Sequence, residues 1–386
     1  MPTFTDEIEK FEYLQKGTTW KGRAIYHCTL TVAEHACLLG QIVVPRETDS
    51  ERAYIHRLPL GQAVVDCFFQ IRDHHPEIKL FPQKLMPNHF HFIVEVQRTM
   101  PVGIRKVLQG FQQGCKAAAR QLATEGRLLE GAIGSNDFCT VFPSVVSVDN
   151  IHEQGKTVLG NNSCYGLPLS EDSILLNGES LLTLETDPAT IGGKIFPERV
   201  FPRIMSHHNQ LPTSIAYVED NVVRKAYSLM YPGAFRVQHD VLIAGRRYAA
   251  VGNLLLLQEP RRQTIHVHKE WVWDAERHGN DKPLRDYKNR CVLEARKGGM
   301  LSVSPCINEH EAQVRDVLLA EGWPMAIIMD NGFRPFYTPP TEWCKPLAEG
   351  RLLLLAPWPY VENKPTILRQ EAVTLNGYAD EIVAER

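Results

Sequence analysis

Two histidines separated by one residue stand in a segment with strand character, 85–96, which reads LMPNHFHFIVEV. Side chains alternate across a β-strand, so His89 and His91 would point to the same face. Held roughly 7 Å apart at the backbone, two imidazoles can reach a single metal ion. The segment therefore predicts half of a metal site. A second pair, His266 and His268 in TIHVHK, shows that this spacing alone does not decide, because such histidines are more often packed or solvated than metal-bound.

A further set of reactive side chains lies on a predicted helix, 212–230, whose apolar residues recur at helical spacing. Tyr217, Asn221 and Arg224 form a separate polar stripe at positions i, i+4 and i+7. An amide oxygen and two imidazoles would make an open three-ligand site for a divalent cation. Tyr217 would be a nucleophile beside that site. The alternative interpretation is an ordinary amphipathic surface helix.

The elements that must position these residues follow a regular order. The hydrophobic pattern predicts a strand at 23–32, a helix at 60–72, strands at 78–85 and 88–96, and a helical region at 102–129. This order is typical of a ferredoxin-like α+β sheet, with the histidine pair on a central strand. The segment from about 139 to 198 is rich in Gly, Asn, Ser and Thr and is predicted to be an insertion of irregular or small β structure.

After residue 235 short apolar strands alternate with amphipathic helices. Strands are predicted at 252–257, 300–303, 326–329 and 351–355, and helices at 286–297, 309–321, 342–348 and 368–383. Wholly apolar strands of this kind indicate a parallel sheet covered on both faces. We therefore expect two domains, 1–235 and 236–386, of which the second is a doubly wound α/β domain.

Composition narrows the classes of function. A net charge of -3 and a pI near 6.6 give no global attraction to a polyanion, so a nucleic acid would have to meet a local basic patch. The nine cysteines form no CxxC pair, which indicates reduced thiols. The acidic N-terminus lacks a signal-peptide pattern and no apolar run reaches membrane length, so we expect a cytoplasmic protein with no membrane partner.

The histidine strand and the tyrosine helix together resemble a known family. MPNHFHF and the downstream YVEDNVVRKA are similar to the motifs of the HUH-superfamily single-tyrosine transposases, in particular the REP-associated tyrosine transposase type. In that group the strand commonly has Met-Pro-Asn-His-hydrophobic-His, and the helix has Tyr-Ile-x-x-Asn-Pro. The segment 23–30 also resembles the family's first strand, with Gly40 at the following turn. The resemblance covers roughly residues 20–130 and 196–235.

The resemblance implies a metal, a substrate and a role for each motif. His89 and His91 would bind Mg²⁺ or Mn²⁺, and Asn221 would complete the ligand set. Imidazole pairs by themselves also suit Zn²⁺, Ni²⁺ or Fe²⁺. Tyr217 would form a 5′-phosphotyrosine link during transposition-like nicking of single-stranded, hairpin-forming DNA. The expected phosphate contacts are basic residues near the two motifs, namely Lys84, Arg105, Lys106, Lys116, Arg120, Arg224 and Lys225.

Three departures separate the chain from the usual family pattern. Val222 follows Asn221 where proline is usual. The segment 201–205 lacks an acidic residue that is often found before the helix. The stretch between His91 and Tyr217 is far longer than in a minimal family member, so the insertion would cover the site or adapt it to another DNA.

The second predicted domain weakly resembles the Rossmann-like core of DNA-processing protein A. The resemblance rests on MDNGF at 329–333, the prolines at 339–340, the strand of EGRLLLLAP and a helix beginning near 368. Ligands of doubly wound sheets lie beyond the carboxyl ends of the strands. The positions expected there are Ser304, Asp330, Asn331, Gly332 and Pro357. Neither a GxGxxG motif nor a P-loop is present, so a scaffold or dimerisation role stays open.

Three hypotheses about function follow from these patterns. The first is a metal-dependent enzyme that nicks and rejoins single-stranded DNA through Tyr217. The second is a domesticated, catalytically silent DNA-binding or regulatory protein. The third is a nucleotide-binding protein that acts through its second domain. An active site within one chain and one shared by a homodimer are both compatible with the sequence.

Overall fold

The computed structural model describes residues 20–132, 145–147, 174–176, 193–205, 210–335, 337–362, 364 and 366–385. The chain divides into two compact units, Met1–Met230 and Tyr231–Arg386. This division falls a few residues before the boundary expected at 235.

The N-terminal unit combines strands and helices in mixed order. Its strands are β1 (Ala24–Thr31), β2 (Gly40–Val44), β3 (Tyr54–Arg57), β4 (Ile78–Leu85), β5 (His89–Val96), β6 (Val145–Ser147), β7 (Ile174–Leu176) and β8 (Phe201–Ile204). Its helices are α1 (Pro59–His74), α2 (Ile104–Thr124), α3 (Gln210–Glu219) and α4 (Asn221–Met230), with 3₁₀ turns at Ala33–His35 and Ser50–Arg52. The strands β2, β3 and β8 have no counterpart among the elements predicted from the sequence.

One four-stranded sheet carries the histidine segment, and its strand order is β4-β5-β1-β8. The strand β1 pairs antiparallel with β5 along its whole length, with Thr29 opposite His91 and His27 opposite Ile93. On its other side β1 pairs antiparallel with β8, where Arg203 lies opposite His27. The histidine strand is therefore an interior strand of an antiparallel sheet.

Strand alternation gives this sheet an apolar face and a mixed face. Phe90 and Phe92 of β5 point to the apolar face and are fully buried. Their rings pack against Phe68 of α1 and Phe111 of α2, with ring centroids between 5.2 and 6.4 Å apart. Each buried ring of this size stabilises the fold by about 1.5–3 kcal/mol. This aromatic core fixes the orientation of β5, and the two histidines consequently lie on the mixed face.

The helix predicted at 212–230 is interrupted at Asp220, which divides it into α3 and α4. The amide of Arg224 still donates to the carbonyl of Asp220 at 3.0 Å, so the helical hydrogen-bond pattern nearly continues. Val218 of α3 is fully buried against Ile25 of β1 and Ile93 of β5. This contact fixes α3 to the same face of the sheet as the histidine pair.

The edge strand β4 contains a bulge between Leu80 and Gln83, where Pro82 lies. Proline lacks an N–H donor and is tolerated in edge strands and bulges. Before the bulge Leu80 packs on the apolar core, and after it Lys84 lies opposite His91. The bulge therefore brings Lys84 to the mixed face.

A second four-stranded sheet has the order β3-β2-β7-β6, and all of its pairings are antiparallel. Gly40 is the first residue of β2 and not a turn residue as expected, and a Cβ there would lie 2.5 Å from Ile55 Cγ2. Of the expected insertion at 139–198, the structure describes β6, β7 and the residues from 193 onward. The rest of that segment lies outside the described residues.

The C-terminal unit is built around one six-stranded sheet of order β11-β12-β13-β14-β10-β9. Its strands are β9 (Gln238–Ile243), β10 (Arg246–Gly252), β11 (Arg261–Thr264), β12 (Met300–Ser304), β13 (Met325–Ile328) and β14 (Leu352–Ala356). Its helices are α5 (Pro232–Phe235), α6 (Lys269–His278), α7 (Lys282–Arg296), α8 (Glu309–Ala320), α9 (Thr341–Ala348) and α10 (Arg369–Ala384), with a 3₁₀ turn at Leu254–Gln258. The strands β11 to β14 are parallel, whereas β10 and β9 are antiparallel.

Helices cover both faces of the six-stranded sheet. On one face Leu318 of α8 shares a buried cluster with Leu354 of β14, and α7 and α9 contribute to the same cluster. On the other face Leu375 of α10 packs in a cluster with Leu355. The apolar strands predicted from the sequence are thus buried on both sides, as expected for a parallel sheet.

The strand predicted at 252–257 is wrong. Gly252, with a φ of 104°, ends β10, and Leu254–Gln258 form the 3₁₀ turn. The side-chain oxygen of Asn253 accepts a hydrogen bond from the amide of Leu255 at 3.0 Å and starts that turn. A short apolar run does not distinguish a strand from a helical turn, and here the local cap decides.

The protein is therefore a mixed α/β molecule with antiparallel sheets and one six-stranded sheet that contains parallel strands. In the part of the chain that the structure describes, no helix has both the length and the apolar character needed to cross a membrane.

Gly61 in α1 tests this packing, because a Cβ at that position would lie 1.8 Å from the carbonyl oxygen of Leu39. We expect Gly61→Ala to lower the free energy of unfolding by about 2–3 kcal/mol, because either α1 or the backbone at Leu39 must move to make room for the methyl group. Chemical denaturation measures the change. Gly110→Ala in α2 is the matched control, because no atom lies within 4 Å of its added Cβ, and it should be neutral or slightly stabilising. Equal losses for both variants would contradict the packing described.

Candidate functional site

His89 and His91 lie side by side on the mixed face of β5, as strand alternation predicts. Their ring centroids are 4.6 Å apart and their planes are inclined at 78°. Both side chains are partly buried. The two rings are close enough to act on one bound group.

One nitrogen of each ring is engaged by a neighbouring side chain. Nδ1 of His91 lies 2.9 Å from Oγ1 of Thr29, its cross-strand partner. Nδ1 of His89 lies 2.6 Å from Oδ1 of Asn88, and because that oxygen only accepts, Nδ1 carries the proton. In the neutral imidazole this leaves the lone pair of His89 on Nε2. Such outer hydrogen bonds fix the tautomer and orientation of metal-binding histidines.

Burial and nearby positive charge keep both rings neutral. Burial, and then the charges of His35 and Lys225, lowers the pKa of His89 to about 4. Burial, and then the neighbouring histidines and Arg224, lowers the pKa of His91 to about 3. A neutral imidazole is the form that binds a metal ion or accepts a hydrogen bond.

His27 is a third imidazole on the mixed face. Its ring centroid lies 5.2 Å from that of His91, and its Nε2 is buried with no hydrogen-bond partner among the described residues. Burial, and then the charge of Arg203, lowers the pKa of His27. Among the residues described, no group of three or more His, Cys, Asp or Glu side chains is arranged to hold a metal ion. A metal site here would therefore need a donor of another kind.

Tyr217 of α3 lies beside the histidine pair. Its ring centroid is 6.0 Å from that of His91, and the two rings are inclined at 74°. The next residue, Val218, is buried against Ile93, which points to the same face of β5 as His91. The Tyr217 side chain is nevertheless 38% exposed, so a substrate can reach it.

Arg224 of α4 holds the backbone and the ring of Tyr217. One of its terminal nitrogens donates a hydrogen bond to the Tyr217 carbonyl oxygen at 2.9 Å. The guanidinium carbon lies 4.2 Å from the centroid of the Tyr217 ring, in cation–π geometry. Arg224 itself is only 8% exposed. Arg224, expected as a surface contact with phosphate, is thus a buried residue that contacts Tyr217.

Asn221 is the first residue of α4 and lies one helical turn after Tyr217. It is partly buried, and among the described residues its side chain makes no hydrogen bond with either histidine. The structure therefore brings the Tyr217 ring to His91, whereas it shows no contact between Asn221 and either histidine among the described residues.

The expected phosphate contacts divide between two faces of the N-terminal unit. Lys84 lies opposite His91, and burial lowers its pKa, while the charges of Glu219 and Asp220 oppose that effect. Lys225 is exposed on α4 and acts electrostatically on His89.

The remaining expected contacts are on α2, which packs on the opposite, apolar face of the sheet. Arg105 stacks on Trp20 at 4.3 Å, and Lys106 is exposed beside it. Lys116 and Arg120 follow on the same helix. The structure therefore does not bring these four α2 residues together with the histidines.

The second histidine pair follows β11 and does not lie on a strand. The rings of His266 and His268 stack with centroids 5.2 Å apart. Nε2 of His266 lies 3.2 Å from Nδ2 of Asn376, and the ring of His268 meets that of Trp271 edge-on at 4.6 Å. His266 is partly buried and His268 is exposed, and the contacts of both rings are with residues of the C-terminal unit.

Two of the polar groups expected at the carboxyl edge of the parallel strands, Ser304 and Asn331, bind backbone groups, whereas Asp330 is exposed. Asn331 binds the backbone of Val361 through two hydrogen bonds of 2.9 Å. A Cβ on Gly332 would lie 2.2 Å from the amide nitrogen of Tyr360. Ser304 is fully buried and donates to a backbone carbonyl at 2.8 Å.

Comparison of the chain with protein-family models, with curated proteins and with solved structures found no match.

Several residues of the site are absent from the sequence-based prediction. His27 and Thr29 occupy alternate positions of the predicted first strand, so the period of two would have indicated a shared face. The sequence does not give the register that places Thr29 opposite His91. Asn88 belongs to the MPNH motif. The sequence shows that this motif resembles the family's, but it does not show that Asn88 accepts a hydrogen bond from His89.

The depressed pKa values predict a specific pH dependence of stability. The folded protein binds no second proton at His89 until about pH 4 or at His91 until about pH 3, whereas the unfolded chain binds it at both rings near pH 6.5. The free energy of unfolding should therefore fall as the pH is lowered from about 6.5 to about 4. Urea denaturation of the full chain with a chelator present measures this slope.

The double variant His89→Gln/His91→Gln should reduce the slope, because two of the titrating groups are gone and His27 is left. His74→Gln, at an exposed position of α1, is the control and should retain it. An unchanged slope in the double variant would show that other groups cause the pH dependence.

Proposed function

We propose that the protein nicks and rejoins single-stranded DNA through a 5′-phosphotyrosine intermediate on Tyr217, with a divalent metal ion at His89 and His91. The observation that carries the proposal is the approach of the Tyr217 ring to His91, with centroids 6.0 Å apart. These residues come from distant parts of the chain. An accessible phenol, neutral imidazoles and surrounding positive charge are the components that phosphoryl transfer requires.

We further propose that the N-terminal unit has the ferredoxin-like HUH fold. Its antiparallel sheet of order β4-β5-β1-β8, with α1 between β1 and β4 and α2 between β5 and β8, supports this assignment. For the C-terminal unit we propose a Rossmann-like fold. The parallel strands β11 to β14 with helices on both faces support it.

The donor set fits Mg²⁺ or Mn²⁺ in part. Asn88 leaves Nε2 of His89 available as a ligand. Nε2 of His91 is available as well when Nδ1 donates its proton to the Thr29 hydroxyl oxygen. The amide of Asn221 would supply the third donor, and oxygen atoms of the substrate would add to it. When bound, the metal ion would polarise the phosphodiester and stabilise the negative charge that develops on its oxygens.

The covalent step needs little beyond a nucleophile in the right place. The Tyr217 oxygen attacks the phosphorus atom, the bond from phosphorus to the 3′ oxygen breaks, and the 3′ end leaves as a hydroxyl. Attack of another 3′ hydroxyl on the phosphotyrosine then restores a phosphodiester and releases Tyr217. Arg224 places positive charge beside the tyrosine ring, where negative charge develops during both steps.

The charges around the site suit a polyanion. Lys84, Arg224 and Lys225 lie at the histidine face, whereas the net charge of the whole chain is -3. Attraction to DNA would therefore be local to this face. The basic residues of α2 would contact DNA only if the DNA strand extended around to the opposite side of the β-sheet.

A covalent adduct tests the nucleophile directly. We expect the full chain, incubated with Mn²⁺ and labelled single-stranded oligonucleotides that contain hairpins, to form a denaturation-resistant protein–DNA adduct. Tyr217→Phe should abolish the adduct, because the attacking oxygen is gone. Tyr360→Phe is the matched control, since Tyr360 is 43% exposed in the C-terminal unit and should leave the adduct intact.

Loss of the adduct in Tyr360→Phe but not in Tyr217→Phe would refute the assignment of the nucleophile. Salt-dependent hairpin binding that is the same with and without the Tyr217 hydroxyl, and no cleavage with any metal, would instead support a catalytically silent DNA-binding protein.

Metal affinity tests the ligands separately from catalysis. We expect Mn²⁺ binding, measured by electron paramagnetic resonance, to be lost in His89→Gln/His91→Gln and weakened in Asn221→Ala. Thr29→Val should weaken binding about 10–100-fold, because it removes the partner of His91 Nδ1. His266→Gln/His268→Gln is the matched control. Equal loss of Mn²⁺ binding in that control would show that the ion binds elsewhere.

A further inference from the structure

Arg224 is a buried guanidinium without a carboxylate partner among the residues that the structure describes. It is 8% exposed, and its contacts are the Tyr217 carbonyl oxygen and the Tyr217 ring. Its Nε is buried and has no hydrogen-bond partner in the described part of the chain. Among the described residues no ion pair involves Arg224. The Nε–H donor of the guanidinium is thus left without a hydrogen bond next to Tyr217.

Buried charges are normally paired, because removal of an ion from water is costly. A cation–π contact and one carbonyl offset only part of that cost for Arg224. The nearby cations add to the imbalance, since Lys84 and Lys225 lie at the same face. The acidic side chains of this region, Glu219 and Asp220, act on Lys84. The site therefore has an excess of positive charge that an anion would balance.

We propose that Arg224 binds an oxygen of a phosphate group beside the Tyr217 ring. A guanidinium presents its donors in a planar fork that matches oxyanions, and the adjoining lysines favour the more highly charged phosphate over a carboxylate. The anion site follows from Arg224 and its surroundings alone. That the bound phosphate is the one attacked by Tyr217 rests on the proposed function.

The same side chain then has two roles that lysine cannot combine. The flat face of the guanidinium packs on the Tyr217 ring, and the N–H donors other than the one bound to the Tyr217 carbonyl oxygen are left for the phosphate. A lysine would keep the charge but lose both the planar stack and the fork. Phosphate and tyrosine ring would be held in fixed relation by one group, so Arg224 is a phosphate-binding residue that also positions the nucleophile.

The Nε–H signal of arginine in a ¹⁵N NMR spectrum of the full chain tests this site. Inorganic phosphate should shift one such signal, and acetate at equal ionic strength should not. The signal should be missing in Arg224→Lys and unaffected in Arg72→Gln, at an exposed position of α1. Phosphate affinity should fall about tenfold or more in both Arg224→Lys and Arg224→Gln, because a charge-assisted hydrogen bond is lost.

Comparison of free phosphate with a short single-stranded oligonucleotide identifies the source of the phosphate group. Competition between the two for the Arg224 signal would support a shared site at the DNA backbone. A shift with free phosphate alone would assign the site to the free anion. An equal shift with acetate, or no shift of any Nε–H signal in a folded protein, would overturn the proposal. Thermal melting of each variant establishes that it is folded.

Tyr217→Phe separates this inference from the proposed function. It keeps the ring under the guanidinium, so phosphate should still shift the Arg224 signal although no adduct forms. Adduct formation by the wild-type chain without phosphate binding at Arg224 would refute the anion site and leave the nicking activity standing. Phosphate binding at Arg224 without any adduct would support the anion site and contradict the nicking activity.

Discussion

The antiparallel pairing of β1 with β5 is the interaction on which the rest of the N-terminal unit depends. It sets Phe90 and Phe92 toward the aromatic core and, by alternation, turns His89 and His91 to the mixed face. The same register supplies Thr29 to His91. A slip of one residue would reverse the face of every side chain on the strand, so the hydrophobic core and the polar site are fixed by one choice of register.

The polar side of that sheet is unusual for a cation site because its neighbouring charges are mostly positive. Burial and positive neighbours keep the imidazoles neutral, which leaves their lone pairs available. The same neighbours would repel a bare cation. A metal ion and an anionic substrate would therefore reinforce each other's binding, each reducing the electrostatic cost of the other. The buried guanidinium of Arg224 is one of these positive charges, and an anionic substrate would offset it as well.

Most strands of the sheet that carries the histidines, and the helices that pack on it, are predicted from the sequence, because their hydrophobic periods are long and regular. Sequence reasoning also placed Tyr217 on a helix and the histidines on a strand. It did not predict β2, β3 or β8, which are short, and β8 pairs with β1, which is distant in sequence. The hydrogen bond of Thr29 with His91 was not predicted either, because it depends on the register between β1 and β5. The apolar run at 252–257 was assigned to a strand because periodicity does not register the cap at Asn253.

The bulge in β4 has a consequence for how such a site can change over evolutionary time. With a regular strand, Lys84 would share the face of Leu80 and point into the aromatic core, where a charge is not tolerated. The extra residue at Pro82 converts that position from one restricted to apolar side chains into one that admits a cation. Gain or loss of a single codon in this edge strand would therefore act as a switch on the charge next to the histidines, without altering any residue of the interior strands.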